Sequence, residues 1–170
     1  MASSGSDNLT VRSSRTRGLV IGVIVLLGAL GLAVWQGQHP SPLPTSTRTV
    51  NASTPVDEAV YIGMADGIDG RLLHLSGVKV QTTSNTDVSV IPLLCRGGRI
   101  EATTDPEAFC SELVNPEGQD LRVGDSVVLQ VLSDEPAVAV IDPVRLGFRE
   151  GLQWGTFPTG AGAVVRVLSR

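Results

Sequence analysis

Two cysteines, Cys95 and Cys110, bracket the stretch CRGGRIEATTDPEAFC and are the only thiols in the 170-residue chain. Three chemistries suit such a pair. A thiophilic metal takes about four ligands, normally Cys or His at short spacings. The chain adds only His39 and His74, so neither a metal site nor a cofactor is expected. A catalytic thiol needs a base; His74 is the single candidate, and no nucleophile signature surrounds either cysteine. The third chemistry is a disulfide, which an oxidising compartment favours. The choice therefore turns on location.

Other side chains offer less. No GxSxG, HExxH, P-loop or dinucleotide fingerprint occurs. The run DGIDG, residues 66–70, lacks the alternating ligands and distant Glu of a calcium loop and reads as a hairpin turn. Carboxylates are abundant and a pair such as Glu107 with Glu112 suggests a glycosidase acid and base, but that chemistry needs a cleft holding the two groups at a defined separation. The stretch FREGLQWGTFPTGAG, residues 148–162, gathers Arg149, Trp154 and Phe157 among glycines. Exposed, these three would form an aromatic binding edge. Large aromatics usually fill cores, so Trp154 is expected to be buried.

Location is set by Gly18 to Trp35, eighteen residues without a charge or strongly polar side chain. As a helix this run reaches about 27 Å, close to the hydrocarbon thickness of a bilayer. Arg12, Arg15 and Arg17 precede it and only Arg48 follows in the next stretch, so residues 1–17 are expected in the cytoplasm and the rest outside. A cleaved signal peptide cut near Gly31 to Ala33 is the rival reading, but signal cores are shorter, about 7 to 15 residues. Either way the cysteines are exported and a Cys95 to Cys110 disulfide is expected. Gly18, Gly22, Ala29 and Ala33 put small residues on one helix face, which suits a homodimer or a partner helix.

Residues 36–55, QGQHPSPLPTSTRTVNASTP, are rich in Pro, Ser and Thr and read as an extended stalk. Asn51-Ala52-Ser53 matches the N-glycosylation sequon. Residues 56–170 read as an all-β domain. Val144, Leu146 and Phe148 alternate with Arg145, the pattern of a half-buried strand. Ala59 to Ala65, Arg71 to Leu75, Val78 to Thr82, Val88 to Leu94, Ser126 to Leu132, Ala137 to Ile141 and Val164 to Leu168 are further strands by their β-branched content. One short helix is expected after Asp105, with Pro106 at its first position and Glu107 in its first turn. It would carry Cys110, and the disulfide would pin it to a strand end at Cys95.

Short strands at this spacing imply a small sandwich or barrel, and Leu121 to Val131 resembles segments of immunoglobulin-like extracytoplasmic modules. The balance of 13 Lys plus Arg against 17 Asp plus Glu leaves no basic footprint for nucleic acid. The expected function is a non-enzymatic binding, scaffolding or accessory module at the cell envelope, engaging a protein or an envelope polymer. A small envelope hydrolase built on His74, and an accessory subunit acting through its membrane helix, are the alternatives.

Overall fold

Strand alternation in the sequence becomes alternation in burial. In the computed structural model, which describes residues 15–37 and 40–169, Ala137, Ala139 and Ile141 point inward while Val138 and Val140 face solvent. Val144, Leu146 and Phe148 are likewise buried and Arg145 exposed. The chain divides into two compact units, Met1–Gly37 and Gln38–Arg170.

The first unit contains α1 (Arg15–Gly37). Its described side chains include Val20, Ile24, Leu26, Leu27 and Leu30, all exposed. Among the described residues no helix is long and apolar enough to cross a membrane. Gly22 and Ala29 are exposed; the side chains of Gly18 and Ala33 lie outside the described residues, as does most of the tail 1–17.

The second unit is all-β. Its strands are β1 (Thr45–Pro55), β2 (Val60–Asp66), β3 (Leu73–Lys79), β4 (Thr82–Ser84), β5 (Ser89–Arg96), β6 (Ala102–Thr103) and β7 (Glu112–Val114). They continue with β8 (Asp120–Leu121), β9 (Ser126–Leu132), β10 (Ala137–Ile141), β11 (Arg145–Glu150), β12 (Gln153–Pro158) and β13 (Gly160–Leu168). Three sheets form, with orders β1-β13-β10-β4, β12-β11-β3-β8 and β6-β2-β9-β5-β7. Their inner faces share one core that includes Ile62, Leu73, Leu129, Leu146, Phe148 and Val165.

The stalk reading of residues 36–55 is corrected. From Thr45 onward this segment is β1, paired in parallel with β13 from Thr45↔Gly160 to Pro55↔Leu168. Leu43, Val50 and Thr54 are buried, so the domain begins near Pro40 rather than at residue 56. The physical reason lies in the threonines: Thr45, Thr47, Thr49 and Thr54 are β-branched and favour extended backbone, and an edge strand tolerates a polar outer face. Two smaller expectations also change. Residues 66–70 are a crossing between sheets, since β2 and β3 are not neighbours. After Asp105 there is a single turn, in which Phe109 N and Cys110 N both donate to Pro106 O at 3.0 and 2.9 Å. Ser111 N then bonds Arg96 O at 2.9 Å, returning the chain to the sheet before a helix can develop.

Sequence run SVVLQV in β9 is apolar on both sides because both faces are covered. Val127, Leu129 and Val131 join the main core, while Val128 faces a second cluster with Cys95, Ile100 and Cys110. The segment between the cysteines is thus a flap folded over the outer face of the β5–β9–β2 sheet.

Placing a charge at Val50 separates a strand from a stalk. Val50→Asp is expected to lower the unfolding free energy by about 3 kcal/mol, since it puts an unpaired carboxylate among apolar side chains; a urea titration reads this, and a stalk residue would leave the midpoint unchanged.

Candidate functional site

The flap is anchored at both ends. Cys95 on β5 and Cys110 are joined by a disulfide with Cα atoms 5.2 Å apart. Beside it, Arg96 donates to the largely buried Asp125 Oδ2 at 2.7 Å, to Asp120 O at 2.6 Å and to Gln119 Oε1 at 2.6 Å. Gly97 N donates to the other Asp125 oxygen at 2.9 Å. These bonds tie the start of the flap to the β8–β9 turn.

Held in this way, the flap forms one wall of a groove of about 590 Å³, within the range of about 300–1,000 Å³ usual for binding sites. Arg99, Ile100 and Glu101 come from the flap, and Thr45, Ser46, Arg48 and Val50 come from β1 on the other side. Met64 and Ala65 of β2 and Gly160 and Ala161 of β13 also line it. β1, which borders the groove, ends one sheet, and β6, within the flap directly after Glu101, ends another.

Two close backbone approaches shape the groove. A Cβ on Gly63 would lie 1.8 Å from Ile100 O, and one on Gly160, whose φ is +74°, would lie 1.5 Å from Met64 O. Only glycine permits these contacts. The β1–β13 register shifts between Thr45 and Thr49, so Ser46 to Arg48 bulge at the groove; bulges re-aim side chains beside sites. Arg48 pairs with Glu101 across the groove, and Arg99 Nε lies 3.0 Å from Asp66 Oδ1. Both pairs are largely exposed, where such contacts contribute roughly 0.2–1 kcal/mol; a charged ligand can exchange with them. Among the described residues no histidine or cysteine lines the groove, and the carboxylates there, Asp66 and Glu101, each face an arginine.

Trp154, Arg149 and Phe157 do not form one surface. They lie on the β11–β12 hairpin, not in a loop. Trp154 is 62% exposed, which overturns its expected burial. Arg149 stacks over it with the guanidinium carbon 5.5 Å from the ring centroid. Phe157 points the opposite way and packs on Phe148, with centroids 6.2 Å apart. Alternation along β12 is the reason: Phe157 lies an odd number of residues from Trp154 and so faces inward. Among the described residues Phe148 is the fully buried aromatic, with Phe157 packed against the same core.

His74 sits on the open face of the β12-β11-β3-β8 sheet, with Nδ1 3.0 Å from Asp120 Oδ1. The sulfurs are bonded to each other, so no Cys–His couple forms. Glu107 and Glu112 are both exposed and outside the groove. His39 lies outside the described residues. Among the described residues no three His, Cys, Asp or Glu side chains are grouped to hold a metal ion.

One further contact fixes the start of the domain. Arg71 donates to Glu150 at 2.9 and 2.6 Å and to the carbonyls of Ser41 and Pro42 at 3.1 and 3.4 Å. The bidentate bond from Arg71 holds the Glu150 carboxyl below its ordinary range.

Two measurements check this geometry. Native protein should offer no thiol to an alkylating reagent and two after reduction, and the double variant Cys95→Ala, Cys110→Ala should lose about 3 kcal/mol of stability. The second concerns acid. Because the folded state lowers the Glu150 value, the clamp contributes fully above the ordinary carboxylate range and is lost as pH falls through the lowered one. Unfolding free energies measured from about pH 5 downward should therefore drop more steeply for the native chain than for Glu150→Gln.

No protein-family model matches the chain, and neither does any curated protein or any solved structure.

Proposed function

We propose that this chain is a single-pass, membrane-anchored binding module whose exported β-domain receives an extended segment of a partner polypeptide in the groove between β1 and the disulfide flap. The groove carries the reading. It is bounded by the sheet edge β1 and by the flap, floored by Val50, Met64, Ala65 and Ala161, and rimmed by charges of both signs. An extended peptide meets such a site on its own terms, with main-chain groups for the open edge of β1 and alternate side chains for the floor. The groove carboxylates are each held by an arginine, which favours binding over turnover.

The membrane anchor rests on the sequence and on α1. The uncharged run from Gly18 to Trp35 extends beyond the described side chains at both ends. Within it the large apolar residues are exposed on successive positions all around the helix, and a helix apolar all round requires an apolar surrounding. Arginines lie before the run, which supports an inside N-terminus. The disulfide suits an oxidising compartment on the far side.

A photo-reactive residue placed at Ser46 in the living cell tests the groove. The expected result is an adduct with a partner polypeptide that disappears when Ala161→Arg fills the groove, with the unfolding midpoint unchanged. An identical adduct from the exposed Val138, or persistence in Ala161→Arg, would sink the assignment. Resistance of the full chain to alkaline extraction from membranes is the matching result for the anchor.

A further inference from the structure

Four strand ends meet at one end of the β12-β11-β3-β8 sheet. β3 begins there, β11 ends there, β12 begins there and β8 ends there, because each neighbouring pair is antiparallel. The residues at these ends are apolar and exposed: Leu72 before β3, Val123 after β8, Leu152 at the hairpin tip and Trp154 at the start of β12. Leu152 is 97% exposed. It follows Gly151, whose φ of +59° makes the turn that presents it. Arg149 and Arg122 are exposed cations beside this patch, Arg122 within 3.8 Å of Asp120 and 4.0 Å of Asp125; the His74–Asp120 pair lies in register with Arg149, and Asp69 is an exposed acid nearby in the chain.

This end is also where the domain joins the rest of the chain. Pro40 is buried against the hairpin, where a Cβ on Gly155 would come within 2.7 Å of its ring. Arg71 holds Ser41 and Pro42 to Glu150 at the base of the same hairpin. In the sequence only Gln38 and His39 stand between Pro40 and Gly37, the last residue of α1. At the other end of β1 the chain runs into Asp57, which shares a hollow with Asp87 and Asp134. The acidic end is the one farthest along β1 from the tether.

We propose that the hairpin tip and its neighbours, Leu72, Val123, Leu152 and Trp154, dock on the surface of the phospholipid bilayer that α1 enters. This rests on the reading of α1 as a membrane anchor and adds a second contact with the same bilayer. A short tether holds the patch at the headgroup level, the indole of Trp154 favours the interface between polar and apolar zones, and Leu152 enters the acyl boundary. Arg149 and Arg122 then meet lipid phosphates.

The test uses the full chain in Trp35→Phe form, so that Trp154 is the only indole, reconstituted into phosphatidylcholine and phosphatidylglycerol vesicles with or without brominated acyl chains. The expected result is flotation with the vesicles together with quenching of Trp154 emission by the brominated lipid. Leu152→Asp should float equally well and lose at least half of that quenching. Flotation without quenching overturns the docking and leaves the anchor standing, and unchanged quenching in Leu152→Asp removes the hairpin tip from the contact. Failure to float overturns the anchor and the docking together.

Discussion

The parallel pairing of β1 with β13 is the constraint on which the rest depends. It joins the beginning of the domain to its end, matching Thr45 with Gly160 and Pro55 with Leu168. Closing a loop over so long a separation costs chain entropy, which the core built by the strands between them offsets. Once formed, the pair seals Val50 and Thr54 against the core and makes β1 an edge beside the flap. The groove exists because that edge is open. The position of Pro40 beside the hairpin follows from the same pairing, since the chain must reach Thr45 from the end of the molecule where β1 starts.

A second constraint is the double burial of β9. Its apolar residues leave the sheet with two faces to cover, and the main core can cover only one. The flap between Cys95 and Cys110 supplies the other cover with Ile100 and the disulfide itself. A segment so short has little apolar surface of its own, so the crosslink and the Arg96–Asp125 network restrain it in place of a large core. That restraint is what lets Arg99 and Glu101 stand as a fixed groove wall, not a loose loop.

The outer surface divides its chemistry by location. Mixed charges over an apolar floor gather between β1 and the flap, exposed apolar side chains gather at the hairpin end, and carboxylates gather where β1 ends. His74 with Asp120 lies outside the groove, on the open sheet face in register with Arg149 at the hairpin end. Had they lined the groove, an acid–base reading would have stronger footing than a binding one.

Sequence by itself determined the all-β character of the domain, because alternation such as Val144, Leu146 and Phe148 around Arg145 is a local property that packing then obeys. It also pointed to the disulfide, since Cys95 and Cys110 are the only cysteines and too few other ligands accompany them for a metal site. Composition misjudged Thr45 to Pro55, where threonine counts as polar in a stalk and as β-branched in a strand; only a partner strand 115 positions away, from Thr45 to Gly160, decides between them. The exposure of Trp154 was equally illegible, because alternation shows that it and Phe157 point opposite ways but not which way is in. The groove was beyond reach for the same reason. Its walls come from two segments that look unremarkable alone, and only tertiary structure, by laying one sheet edge beside a crosslinked flap, makes a site of them.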